Sequence, residues 1–263
     1  MKKLEKHLFG ILYGIGGSVY DYMQEDIFLE TIEYVNKKIN FNFNAKDRFG
    51  DTLLMKASRK GSLKIVKSLI GYGADVNAKN QYGSTALMFT SSLEVAKLLI
   101  ENGADINAKD NDGDTALTHH ENLKIIKLLV DNGADIDARD ISMFGTLLIR
   151  IIDSIYHHTS DYEYSEVLEN IKFLIDNGAD VNIKDKEGNT ILHKTIYILG
   201  TLDRIYTQEQ DFKLVLEITK LLVDNGADVN AKDKNGNTAL TYAKRKGSDG
   251  EEIVKFLISR GAK

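Results

Sequence analysis

Apolar residues return at three- and four-residue intervals in "LEVAKLLIENG" from Leu93 and in "LKIIKLLVDNG" from Leu123, with charged residues between them. This spacing predicts an amphipathic helix with one buried face. A shorter apolar run comes before each such helix, and Thr52, Thr85, Thr115, Thr146, Thr190 and Thr238 each stand at the start of one. A threonine there is expected to accept a hydrogen bond from the first free helical N–H groups. After the second helix a glycine is followed by an extended polar stretch such as "ADVNAKD", and then by Gly50, Gly83, Gly113, Gly188 or Gly236 in a tight reversal.

The pattern recurs along the chain. Gly73, Gly103, Gly133, Gly178, Gly226 and Gly261 are equivalent points, with spacings of 30, 30, 45, 48 and 35 residues. Such a period marks stacked units, each hiding its neighbour's apolar face. Each unit reads as hairpin, helix, turn, helix, and in this order the chain resembles the ankyrin repeat. The "TPLH" motif of that family stands here as Thr190-Ile191-Leu192-His193, and elsewhere as "TALM", "TALT" or "TLLM". The resemblance implies an all-α solenoid of helix-turn-helix units with projecting β-hairpin loops. It also implies that His193 bonds a neighbouring turn. We divide the array into residues 45–77, 78–107, 108–137, 138–182, 183–230 and 231–263, as one continuous domain. Residues 1–44 form an N-terminal capping unit, because Asn44 is in register with Asn77. Proline never fills the first helical position, which removes some preorganisation of the helix starts.

Most shared polar residues are thereby assigned to the scaffold. Asp75, Asp105, Asp135, Asp180 and Asp228, with the Asn or Asp two positions later, are expected to tie backbone groups of the hairpins. Lys46, Lys79, Lys109, Arg139, Lys184 and Lys232 each precede an Asp or Asn and read as a solvated ladder. In animal ankyrin proteins, asparagines like Asn77, Asn107, Asn182 and Asn230 are hydroxylated, which implies a role as enzyme substrate if this chain resides in an animal cytoplasm.

Composition narrows the function classes. A net charge of −5 argues against a general grip on phosphate backbones, and no nucleic acid is expected as partner. The absence of cysteine excludes disulfides, thiolate metal sites and a cysteine nucleophile, and it suits a reducing cytoplasm. The start "MKKLEKHLFGILYGIGGSVY" imitates an export signal, but Glu5, His7 and its glycines interrupt it, and it reads as a helix of the cap. No stretch is long enough to span a bilayer, so no membrane is expected.

Catalytic motifs are missing: there is no G-x-S-x-G, no H-E-x-x-H and no phosphate loop. "DNDGDTALTHHE" sets Asp110, Asp112, Asp114 and Glu121 at calcium-loop spacing, yet glycine is fourth rather than sixth. His119-His120 and His157-His158 are adjacent pairs whose side chains diverge along a helix, so neither pair alone makes a metal site. We therefore expect no metal, no cofactor and no catalytic residue.

Partner choice is expected where the units differ. The units 78–107 and 108–137 lose residues between their helices, at "MFTSSLEV" and "THHENLKI". The units 138–182 and 183–230 gain residues there, with second helices expected to begin near Ser165 and Gln210. This suggests a raised double lobe carrying Tyr156, Tyr162, Tyr164, Tyr197 and Tyr206, a residue type that adds apolar area at little entropy cost. A second candidate surface joins Arg48, Phe49, Gln81, Tyr82, Asn111 and Asp112 at the hairpin tips to Arg59 and Lys60 at a first-helix end. The expected function is a non-enzymatic scaffold, monomeric alone, that binds a partner protein. One alternative is a small-ligand receptor or enzyme with a pocket between the enlarged units, built from His157, His158, Asp161 or Glu163. Another is a microbial effector or regulator acting on a host protein, suggested by the richness in lysine, isoleucine and asparagine.

Overall fold

In the computed structural model, residues 25–38, 41–120, 122–139, 146–157, 164–198 and 209–263 are described. Among them there are helices and turns but no strand. The chain divides into two compact units, residues 1–134 and 135–263. The first holds α1 (Glu25–Lys38), α2 (Leu53–Lys60), α3 (Leu63–Gly71), α4 (Ala86–Phe89), α5 (Leu93–Glu101), α6 (Ala116–His119) and α7 (Leu123–Asp131). The second holds α8 (Leu147–His157), α9 (Tyr164–Asp176), α10 (Ile191–Ile198), α11 (Glu209–Asp224), α12 (Ala239–Lys244) and α13 (Glu251–Ser259). The second helices of the long units begin at Tyr164 and Glu209, one residue before the expected points.

Like helices stack on like. In the first unit α2 packs on α4 and α4 on α6, while α1, α3, α5 and α7 form a second row. In the second unit α8, α10 and α12 form one row and α9, α11 and α13 the other. The periodicity explains why: Val95, Ala96 and Leu99 in α5, and Ile125, Ile126 and Leu129 in α7, are buried between rows. The cap follows the same rule through Phe28, Ile32 and Val35 of α1. In the shortened repeats the deletion falls partly in the first helix itself, since α4 and α6 have four residues and α2 has eight.

Helix starts differ in one respect from expectation. Thr52, Thr85, Thr115 and Thr238 are N-cap residues. Thr52 and Thr238 accept from the N–H three residues on, at 3.3 and 3.4 Å. The Thr85 and Thr115 hydroxyls have no such bond. The bond that recurs in five of the six repeats, the exception being the one in which Ile149 stands three residues after Thr146, runs the other way. The threonine N–H donates to the side chain three residues on: Met55, Met88, Thr118, His193 or Thr241. This satisfies an otherwise orphaned buried donor.

A ladder of asparagines joins successive repeats. Asn77 Nδ2 donates to the Gly103 carbonyl at 2.8 Å, and its Oδ1 accepts the Asp105 N–H at 2.7 Å. Asn44, Asn182 and Asn230 make the same pair of bonds. Each aspartate two positions earlier accepts the asparagine N–H, as Asp75 does from Asn77 at 2.9 Å. The lysine column proves to be more than a solvated ladder. Lys46 Nζ donates to the Lys79 carbonyl at 2.7 Å, Lys79 to Lys109 at 2.7 Å, and Lys184 to Lys232 at 3.0 Å.

Asp137 takes the asparagine position in this ladder. It accepts the Asp180 N–H at 3.1 Å, but a carboxylate has no proton to give a carbonyl. Burial pushes its pKa up, and the charges of Asp180 and Asp135 add to the effect against the Asp180 N–H. The folded chain thus holds this proton more tightly than the unfolded one, and the position costs stability as pH rises above the ordinary value of 3.8. Asp137→Asn is expected to raise the unfolding free energy at pH 7 by about 1 kcal/mol, one net hydrogen bond. Urea unfolding should show this gain shrinking toward pH 4.

Candidate protein-binding surfaces

Each described hairpin tip is built on one acceptor. Asp47, Asn80, Asp110, Asp185 and Asp233 each accept the N–H groups two and four residues on, at 2.8 to 3.0 Å. The glycine between closes the turn. In the first unit the tips are also bonded to one another. Gln81 N–H donates to the Phe49 carbonyl at 3.2 Å and Asn111 N–H to the Tyr82 carbonyl at 2.9 Å. Asn111 Nδ2 adds a bond to the Gln81 carbonyl at 3.0 Å, so this residue serves the scaffold as well as the surface.

Three pairs are thereby held side by side: Arg48 with Phe49, Gln81 with Tyr82, and Asn111 with Asp112. All six are exposed. Phe49 is 43% and Tyr82 57% exposed, and the Arg48 guanidinium lies 4.6 Å above the Phe49 ring. Arg59 and Lys60, also exposed, end α2. Arg59 reaches Asp51 at 3.2 Å and sits 4.1 Å over Phe89, which sequence reasoning had missed. Asn80 Nδ2 holds the other Asp51 oxygen at 2.8 Å. The geometry therefore offers aromatic faces beside fixed cations.

The register explains Phe89. Nine residues after each tip acceptor stands a side chain on the first helix: Lys56, Phe89, His119, Lys194 and Tyr242. Lys56 meets Asp47 at 2.7 Å, His119 meets Asp110 at 3.0 Å, Lys194 meets Asp185 at 3.4 Å and the Tyr242 hydroxyl donates to Asp233 at 2.6 Å. Burial alone would raise the Asp233 pKa, but bonds from Tyr242, the Asn237 side chain and the Asn237 and Asn235 N–H groups outweigh it and hold it at about 2. Asp110, Asp114 and His119 bring one ligand atom each within 4.8 Å of one another. The recurring pairing accounts for that group, since Lys56 and Lys194 take the place of His119 in their repeats.

Of the tyrosines expected on the raised lobe, Tyr197 is 54% exposed on α10. Its ring meets Tyr242 of α12 edge-on, with centroids 6.2 Å apart. Tyr156 lies in α8 and Tyr164 opens α9, with side chains outside the description. Tyr162 and Tyr206 lie outside the described residues, as do His158, Asp161 and Glu163, and with them the lobe and the proposed pocket. His157 ends α8. No described helix is long and apolar enough to cross a membrane.

Comparison with known proteins agrees with this architecture. A family model of ankyrin repeats matches three times, at residues 25–110, 54–140 and 160–263. A putative ankyrin repeat protein of Acanthamoeba polyphaga mimivirus, R841, is 32% identical over 75 residues, covering 27% of this chain and 12% of its own length. The chain thus spans a small part of that curated relative. Among solved structures, the ankyrin repeat domain of Bcl-3, described as a member of the IkappaB protein family, superposes with TM-score 0.65. It is 25% identical over 82% of this chain and 90% of that one. A chain from a Bdellovibrio bacteriovorus predatory endopeptidase in complex with an immunity protein gives TM-score 0.59. There the identity is 25%, over 82% of this chain and 99% of that one.

Proposed function

The chain belongs to the ankyrin repeat family, and from that premise we propose that it is a non-enzymatic protein-binding module. Its contact surface is the row of tips Arg48–Phe49, Gln81–Tyr82 and Asn111–Asp112, continued onto Arg59 and Lys60. The observation that carries this reading is the bonding of successive tips, which presents two half-exposed aromatic rings in fixed register. Holding rings rigid before contact reduces the entropy lost on binding. A stable contact needs about 800 Å² on each partner, more than one tip supplies, so neighbouring tips must act together. Ankyrin repeats generally serve protein–protein interaction, and a structural neighbour comes from a complex of two proteins.

The test is quantitative affinity capture with intact protein and with a Phe49→Ala/Tyr82→Ala double variant. Both residues are exposed, so the variant should melt within a few degrees of the parent. Partners retained by the parent are expected to fall at least about tenfold on the variant, the loss of one aromatic anchor. Equal recovery of the same proteins would remove the tips from the contact.

A further inference from the structure

The second unit divides its charge between its two helix rows. Along α8, α10, α12 and the two residues that follow stand Arg150, Lys194, Lys244, Arg245 and Lys246, with Asp153 as the one acid. The row of α9, α11 and α13 has nine acidic residues against four lysines. In this unit, of 22 acidic and 17 basic residues, this leaves one positive row on an acidic body.

The basic residues are not equally available. Lys194 is neutralised by Asp153 at 2.9 Å and Asp185 at 3.4 Å. Lys244 and Arg245 are exposed and have no carboxylate partner among the described residues. The nearest bond of Arg245 is to a neutral group, Asn237 Oδ1, at 2.9 Å. Arg245 and its neighbour Lys246 lie against rings. Arg245 is 5.6 Å from the centroid of Tyr242, and Lys246 Nζ is 5.7 Å from that of half-exposed Tyr197.

Resting on the reading of this chain as a protein-binding module, we propose that this cluster docks an acidic peptide segment of a partner protein. Unneutralised cations at the end of α12 attract carboxylates, and the complementary field speeds encounter and selects against basic partners. Tyr197 and Tyr242 then supply apolar area and a hydroxyl beside the charges. A nucleic acid fits less well, because its uniform charge meets the acidic body beyond this small patch.

The probe is a short fluorescein-labelled peptide of alternating glutamate and tyrosine, titrated by anisotropy at low and physiological salt. A lysine–tyrosine counterpart, an oligothymidylate and phosphatidylserine vesicles serve as comparisons. The glutamate peptide is expected to bind saturably and more weakly at higher salt. Lys244→Glu/Arg245→Glu should weaken it by at least about tenfold, and Tyr197→Ala by severalfold. Because acids at a helix C-terminus disturb it, Lys244→Ala/Arg245→Ala is measured as well, with melting curves for each variant. No saturable binding to the parent, equal binding to the well-folded variants, or tighter binding of the oligonucleotide or vesicles overturns the proposal.

The Phe49→Ala/Tyr82→Ala variant should bind the peptide as the parent does. If partner capture depends on the tips while charge reversal changes nothing, the module reading stands and the acidic-peptide inference falls. If charge reversal abolishes peptide binding and capture never depends on the tips, the acidic-peptide inference stands and the tips are removed from the contact.

Discussion

Gly50→Ala is expected to lower the unfolding free energy by about 3 kcal/mol, two costs acting together. The residue sits at φ +77°, where a side chain strains the backbone. A Cβ there would also lie 2.6 Å from the backbone nitrogen of Gln81, whose N–H donates to the Phe49 carbonyl. The new atom therefore pushes apart two tips that are bonded to each other. Gly236 separates the two costs: its φ is +78°, and a Cβ there meets nothing within 4 Å. Gly236→Ala should lose only about 1 kcal/mol, the conformational part. Urea unfolding of both variants decides the matter, and equal losses would show that close approach between tips contributes nothing.

His193→Ala is expected to cost about 3 kcal/mol at pH 7, from lost hydrogen bonds and a cavity. The ring is buried, accepts the Thr190 N–H at Nδ1 (3.2 Å), and faces the Asn237 carbonyl with Nε2 (3.2 Å). These partners assign the proton to Nε2 and leave Nδ1 as acceptor. A second proton would set a donor against a donor. Burial holds the pKa of His193 below its ordinary 6.5, against the bond to Asn237 and the charge of Asp233. Burial also lowers that of His120, which donates to the Leu87 carbonyl at 3.0 Å. With folded pKa values depressed, the unfolded chain binds more protons just below pH 6.5, so stability is complete above that value and is lost as pH falls through it. Denaturant midpoints measured from pH 7.5 to 5 should show the decline. His193→Met places the residue found at Met55 and Met88 in the same register, and it should flatten the curve. An unchanged slope would mean that His193 does not carry the proton linkage.

The repeat was legible because its signals are local. Glycine closes each second helix, threonine opens each first helix, and the apolar spacing names the buried face, all within one repeat's own residues. Asn44 and its counterparts could be aligned by counting. The lysine bonds to the next repeat could not, because Lys46 reads as any exposed lysine until a carbonyl 33 residues away is placed beside its amine. The same holds for Phe89 and Tyr242 at the candidate surfaces. Their role follows from a nine-residue interval after the tip acceptor, a signal present in the sequence but obscured by four different side-chain types at the five equivalent positions. Asp137 was grouped with the asparagines because it can accept like them, and only the rung geometry shows that a donor is needed.

The asparagine rungs have a further consequence for how such a chain can change length. Asn77 reaches Gly103 across 26 residues and Asn182 reaches Gly226 across 44, and the two bonds measure 2.8 and 3.0 Å. The extra segment therefore leaves the stitching between modules untouched. The link from first to second helix behaves as a socket for new sequence: a foreign epitope or an affinity tag could be grafted there without re-engineering the seams on either side.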